Sequence, residues 1–498
     1  MKIHWIRSCR GLMVQTLACL MLMAGCTSRE TDKTSSTTAD QNVVLTKDLT
    51  RADVFITAKE TGDRLTKKDA LLFRESPQPT ENFPHIILDF TKRFQVMEGI
   101  GGALTDAAAE TFYKMPAEAQ EEILTAYFDD QQGIGYTLCR THINSCDFSS
   151  ESYAYADTPG DTALTDFTII HDMRYRIPFI KKAMQRAGGQ LKLFASPWSP
   201  PAWMKTNNYM LEGGSLRPEY RKAWADYYIK FFEAYQREGI SFWGLTVQNE
   251  PLAKQTWESC IYNAEEEMIF VRDFLGPRLK QSDFSHLKLM IWDHNRDIMF
   301  QRANTVLSDT VAAKYVWGTA FHWYMGDFYD NVRLVHDAFP EKGLVFTEGC
   351  GYPFSWENVK GWYWGEKYAE AMIRDFNNFT QGWTDWNILL DETGGPNHVN
   401  NFCLAPVICD TRNGKVHYMN SYYYIGHFSK FIRPGAYRIA CSSTSDDLLA
   451  TAFMNPDGSV AVIILNKTDR DIRYNLWING RAGTISSPSH SIITCIIP

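Results

Sequence analysis

Three things are scarce in this chain, and each scarcity excludes a class of protein. No two cysteines form a Cys-x-x-Cys pair, although the chain holds 11 of them. The spacing that zinc sites use is therefore absent, and neither a metal nor another cofactor is expected. Positive charge is outnumbered. Lys and Arg number 50 against 58 Asp and Glu, a formal −8 that becomes −11 once the first 25 residues are set aside with their three bases (Lys2, Arg7 and Arg10) and no acid. A chain of that sign is a poor match for nucleic acid. Long apolar runs are missing beyond the N-terminus. The one candidate, 11–25, is too short to span a bilayer comfortably and has no stop-transfer pattern behind it, so the body is expected to be soluble.

What is plentiful is the aromatic ring, with 15 Trp and 24 Tyr. A large core uses such residues, and so does a site that stacks flat ligands; composition leaves both open. At the N-terminus, the bases and the apolar run end in Leu22-Met23-Ala24-Gly25-Cys26, and small residues directly before a cysteine resemble a bacterial lipoprotein signal. The expectation is that residues 1–25 are removed, that Cys26 is lipidated, and that the polar Ser/Thr-rich stretch to residue 42 is a flexible tether. The partner is then a membrane through a lipid anchor only, and the location is the bacterial cell envelope. Cys9 and Cys19 leave with the signal. Eight cysteines remain after Cys26, and their pairing stays open.

Residues 43–93 carry short strand-like runs at 54–57 and 85–88. A rhythm then begins: β-rich runs at 95–105, 136–144, 191–198, 242–250, 287–294, 316–324, 344–348 and 382–390 alternate with amphipathic stretches such as 116–128, 173–186, 220–237 and 264–280. Eight strand–helix units predict a (β/α)8 barrel over 94–421. After residue 421 the rhythm stops. Short runs at 438–442, 448–454, 460–466, 472–478 and 491–497, with the turn signal Asn455-Pro456-Asp457-Gly458, predict a β-sandwich over 422–498 that the strands of 43–93 complete.

Chemistry in such a barrel gathers where the strands end. Run four ends in Gln248-Asn249-Glu250-Pro251 and run seven in Phe346-Thr347-Glu348-Gly349. The glutamates stand 98 residues apart, or about 33 for each of three βα units, an ordinary size for this architecture. Two carboxylates on one face are what glycoside hydrolysis needs: one protonates the leaving oxygen, the other attacks the anomeric carbon or activates water. Asp293 and His294 end run five and are expected to stand behind the site residues, with no role of their own.

Asn-Glu-Pro after strand four with Glu after strand seven resembles the large clan of retaining barrel glycosidases. Narrower motifs resemble glycoside hydrolase family 30, the family of lysosomal glucosylceramidase and of bacterial β-1,6-glucanases. They are Gly99-Ile100-Gly101-Gly102-Ala103-Leu104-Thr105-Asp106, Arg140 with Ser145-Cys146-Asp147-Phe148-Ser149, Ala195-Ser196-Pro197-Trp198-Ser199-Pro200-Pro201, Phe321-His322-Trp323-Tyr324, Gly382-Trp383-Thr384-Asp385-Trp386-Asn387 and Gly394-Gly395-Pro396-Asn397. The resemblance implies Glu250 as acid/base and Glu348 as nucleophile. It implies that Asp106, Trp198, Asn249, Trp386 and Asn401 hold the sugar, and that His322, Tyr324 and Arg140 surround the nucleophile.

The implied activity is retaining hydrolysis of a β-glucosidic bond, in a glucosylceramide-type lipid or a β-1,6-glucan. The loop from Leu252 to Cys260 lacks a long apolar stretch, and its Trp257 is placed to stack on a second sugar. Two readings compete: a β-xylanase of the same family, which the glucosylceramidase-type motifs disfavour, and a non-catalytic glycan-binding lipoprotein, which would be expected to have lost a carboxylate.

Overall fold

The computed structural model describes residues 49–498. The expected signal, Cys26 and the tether lie outside the described residues. Four strands come first: β1 (Arg51–Ala58), β2 (Thr66–Leu72), β3 (Arg74–Glu75) and β4 (His85–Val96). Eight parallel strands then close a barrel: β5 (Gly99–Ala103), β6 (Leu138–Ile143), β7 (Lys192–Pro197), β8 (Gly244–Thr246), β9 (Lys288–Asn295), β10 (Val316–His322), β11 (Gly343–Glu348) and β12 (Gly382–Asn387). Each predicted run overlaps one of them, with β9 and β11 reaching one residue beyond theirs. Parallel strands are covered on both faces and so read as near-continuous apolar runs; all six residues of β11, Gly-Leu-Val-Phe-Thr-Glu, are buried. Leu138, Phe194, Met290, Ala320 and Val345 fill the barrel's interior.

The outer helices follow the expected spacing with local corrections. Arg221–Arg237 buries Trp224, Tyr227, Tyr228, Phe231, Phe232 and Tyr235, one stripe of a 3.6-residue period. The stretch 264–280 is not one regular helix, because a π-turn at Val271–Leu275 interrupts it. Pro116 caps the helix Ala117–Phe128 rather than opening it.

A small sheet, β13 (Leu389–Asp391), β14 (Val407–Asp410) and β15 (Lys415–Tyr418), follows the barrel. The remaining strands are β16 (Tyr437–Ser443), β17 (Leu448–Met454), β18 (Val460–Asn466), β19 (Ile472–Ile478), β20 (Arg481–Ser487) and β21 (Ser491–Ile497). They join β1–β4 in one sheet of order β2-β1-β21-β18-β17-β16-β4-β19-β20-β3, as the expectation that early strands complete the sandwich required. The sheet curls until its ends meet: a Cβ on Gly483 of β20 would lie 2.7 Å from Leu71 Cγ of β2. Strand β4 continues to Val96, and the helix Asn420–Ser429 straddles position 421, so neither expected domain border falls between elements.

Candidate active site

Strand β8 is only three residues long, and the chain beyond it is held by single hydrogen bonds. Val247 N donates to Met290 O at 3.0 Å and Asn249 N to Pro197 O at 2.9 Å. Glu250 then adopts φ +47°, beside Trp292 at +75° and Asp293 at +53°. Left-handed backbone costs such residues on the order of 1–3 kcal/mol each and persists only where the surroundings over-determine it. They do so here. Glu250 N donates to Asp293 O at 2.9 Å, and Trp292 N to the buried Glu267 carboxylate at 2.9 Å. The turn aims the Glu250 side chain into the space above the barrel.

Arg140, wholly buried on β6, organises the centre. Its Nη1 donates to Glu348 Oε2 at 2.6 Å, its Nη2 to Asn249 Oδ1 at 2.9 Å and Asp293 Oδ2 at 2.8 Å, and its Nε to Ser196 Oγ at 3.1 Å. Its guanidinium lies 4.7 Å from the Trp198 ring centroid and 5.5 Å from that of Trp386, two rings stacked at 5.1 Å. Tyr324 OH donates to the other Glu348 oxygen at 3.0 Å. Both carboxylate oxygens of Glu348 thus accept from fixed donors.

Glu250 has different neighbours. Gln255 Nε2 donates to its Oε2 at 3.0 Å, while His322 Nδ1 lies 3.4 Å and His294 Nδ1 3.6 Å from its Oε1. His322 Nε2 faces Asp293 Oδ1 at 3.0 Å. Burial alone would raise Glu250, but the hydrogen bond from His322 and the two imidazoles bring it down to about 2. Burial would lower His322, but the charge of Glu348 and its bonds to Asp293 and Glu250 raise it to about 9. Together they hold one proton across the neutral range. Glu348 is pushed above its ordinary value by burial and by the charges of Glu250 and Asp293, against the pull of His322 and Arg140.

Glu250, His294 and His322 present one ligand atom each within 4.8 Å of one another, a donor set a cation could use. The facing atoms are Glu250 Oε1, His322 Nδ1 and His294 Nδ1, while Gln255 and Asp293 hold the opposite atoms of Glu250 and His322.

A cavity of about 750 Å³ opens over this centre, lined by Glu250, Glu348, Asn249, Trp198, Trp386, Tyr324 and Asn401 among others. Seven of the expected site residues therefore share one chamber, with Arg140 and His322 buried directly behind its wall. Asp106 does not line it, which corrects its expected role. Its carboxylate accepts from Ser149 Oγ at 2.7 Å and Tyr153 OH at 2.9 Å and pairs with Arg176 at 3.5 Å, all under the barrel's surface.

The acid that reaches the chamber is Asp147. Asn401 Nδ2 donates to its Oδ2 at 2.8 Å, and its Oδ1 is buried without a hydrogen-bond partner. Burial and the charge of Glu348 push Asp147 well up. The signal for it was a carboxylate four residues past the end of β6, inside a motif already singled out. Asp293, expected behind the site but given no role, joins Arg140, His322, Thr246 and Thr347.

Known proteins share this arrangement. The model of the glycosyl hydrolase family 30 TIM-barrel domain matches residues 97–432, and that of the family's beta sandwich domain matches 435–495. The lysosomal acid glucosylceramidase of Mus musculus is 36% identical over 424 residues, 82% of this chain and 81% of that protein. The crystal structure of SrfJ from Salmonella typhimurium superposes with a TM-score of 0.86 at 34% identity, covering 90% of this chain and 99% of that one. An endo-β1,6-glucanase superposes with a TM-score of 0.81 at 27% identity, again covering 90% and 99%. With both of its domains matched and its two carboxylates in one chamber, this chain belongs to glycosyl hydrolase family 30 and is a glycoside hydrolase.

Proposed function

We propose that this protein cleaves a β-glucosidic bond by double displacement and releases an apolar aglycone. The observation that carries the reading is the unequal surroundings of two glutamates in one chamber. Glu348, held by Arg140 and Tyr324, attacks the anomeric carbon while the aglycone oxygen takes the proton stored on Glu250 and His322. Water then attacks the glucosyl ester, and Glu250 takes up the proton it loses. The faces of Trp198 and Trp386 and the polar atoms of Asn249, Asn401 and Asp147 hold the ring. Asp147 takes the place first given to Asp106.

The aglycone reading rests on the rim. Leu252, Ile298, Met325 and Tyr352 line the chamber and are 43%, 40%, 62% and 62% exposed. Exposed apolar side chains clustered in the wall of this chamber suit an acyl or alkyl chain better than a second sugar. The similarity to a glucosylceramidase supports the same reading. A β-1,6-glucan is the second reading, favoured by Trp257 at the wall, whose ring suits a neighbouring pyranose. Initial rates on a micellar glucosylceramide-type lipid and on β-1,6-linked gluco-oligosaccharides decide between them. A higher kcat/KM on the oligosaccharides would overturn the apolar-aglycone reading and leave the glycosidase intact. We further infer, from the signal-like N-terminus alone, that the protein is exported and anchored through lipid on Cys26.

A further inference from the structure

We propose that Cys350 and Cys403 are a redox-active dithiol in the wall of the active-site chamber, which a small hydroperoxide converts to a disulfide that suppresses hydrolysis. Cys350 lies two residues beyond Glu348, and Cys403 two beyond Asn401. Their segments are tied together by backbone hydrogen bonds, Leu404 N to Gly351 O at 2.9 Å and Phe354 N to Phe402 O at 3.2 Å. The two side chains lie in one buried cluster, and Cys403 is the foremost influence on the Cys350 thiol. Both line the chamber, and among the described residues the other free cysteines, such as Cys146 and Cys260, do not.

Each sulfur also touches the machinery. Cys350 Sγ lies 3.6 Å from Tyr324 OH, the donor to Glu348, and Cys403 Sγ lies 3.7 Å from Asn401 O, whose side chain holds Asp147.

The chemistry balances. The Cys403 sulfur attacks a peroxide oxygen, becomes a sulfenic acid, and the first water leaves. Cys350 sulfur then attacks that sulfur, the S–S bond forms, and the hydroxyl leaves as a second water. Two thiols and one hydrogen peroxide give a disulfide and two waters. The contact with Cys403, together with burial, holds the Cys350 thiol protonated, which suits it to the resolving role. Contraction to an S–S bond of about 2.05 Å draws both segments together. Tyr324 and Asn401 move with them, and a misplacement of about 1 Å costs an enzyme up to roughly a hundredfold in rate.

The inference concerns the site whose reaction is proposed above, so the test reads thiol chemistry and hydrolysis separately. The full chain is treated with hydrogen peroxide, digested under non-reducing conditions and mapped by mass spectrometry, while turnover of an activated aryl β-glucoside is followed. The expected result is a peptide linking Cys350 to Cys403, a fall in turnover of roughly tenfold or more, and recovery with dithiothreitol. Cys403→Ser and, independently, Cys350→Ala should lose less than about twofold of their own starting rate under the same treatment. Absence of the linked peptide, or equal inactivation of both variants and the parent, would overturn the proposal. An enzyme inactive on the glucoside before treatment would count against the glucosidase reading alone, because the linked peptide still reports on the dithiol.

Discussion

At the residue scale, the two glutamates are distinguished by what they touch. Glu348→Ala removes the attacking group and is expected to leave almost no turnover on any substrate. Glu250→Ala is expected to differ. With an activated leaving group the glucosyl ester still forms, and its hydrolysis stalls for want of a base. Azide needs no base, so it should restore turnover and give a β-glucosyl azide by two inversions; an α-azide from Glu348→Ala would exchange the roles. The pH profile should be bell-shaped. Activity needs Glu348 ionised, so it falls as pH drops through a pKa above the ordinary carboxylate value. It also needs the proton shared by Glu250 and His322, so it falls as pH rises through about 9. His322→Gln, read in kcat/KM against pH, should pull the alkaline limb toward neutrality; an unmoved limb would remove His322 from the proton store.

Two aspartates make a paired test on the same scale. Asp147→Ala should lower kcat/KM by roughly tenfold, the worth of one or two hydrogen bonds of about 0.5–1.5 kcal/mol each to sugar hydroxyls, at little change in melting temperature. Asp106→Ala should do the reverse. It takes one of two carboxylates from the wholly buried Arg176, which keeps Asp172, and leaves Ser149 and Tyr153 without their acceptor, at a cost on the order of 1–3 kcal/mol of stability. Equal kinetic losses with equal stability would restore the sugar-binding role to Asp106.

At the element scale, close strand approach is bought with glycine on β5. A Cβ at Gly101 would meet the Leu138 carbonyl oxygen of β6 at 1.9 Å, a contact with backbone that no rotamer relieves. Gly101→Ala must therefore part β5 from β6 and is expected to destabilise by on the order of 2–4 kcal/mol, seen as a lower denaturation midpoint at an unchanged m-value. The strands were legible because their runs are apolar throughout. Strand β20, Arg-Ala-Gly-Thr-Ile-Ser-Ser, was not, because it has one large apolar residue and sits near the sheet's edge. The π-turn in 264–280 was hidden for another reason. The period of its apolar residues is helical on both sides, and only Tyr315 packed against Gly276 marks the fault.

At the scale of the whole molecule, barrel and sandwich share one core. Phe376 of the barrel helix Tyr363–Asn377 meets Phe453 of β17 edge-on at 5.6 Å. Gln95 of β4 donates to Phe376 O at 2.6 Å and Thr380 O at 3.1 Å. A barrel cut at residue 432 would expose these faces and is expected to be recovered insoluble or as a loosely packed state, by near-UV circular dichroism and gel filtration. The lipid anchor belongs to this scale as well: Cys26→Ser should release the expressed protein from the membrane fraction, and a variant that stayed membrane-bound would refute lipidation at that residue.

The sequence by itself determined the barrel, the joining of early and late strands in one sheet, and the pair Glu250 and Glu348. Each is written locally, as apolar runs of strand length and as carboxylates at fixed offsets from the ends of those runs. Only the tertiary structure decided which of two motif aspartates reaches the chamber. Asp106 opens the helix Asp106–Lys114 and turns to Arg176, whereas Asp147 lies past a strand end and turns to Asn401, more than two hundred residues away in the chain. The same holds for Asp293 beneath His322 and for Cys350 and Cys403, which are brought into one cluster. These are meetings of side chains from different strands, and a linear spacing carries no information about which partner a buried charge or thiol will find until the barrel closes.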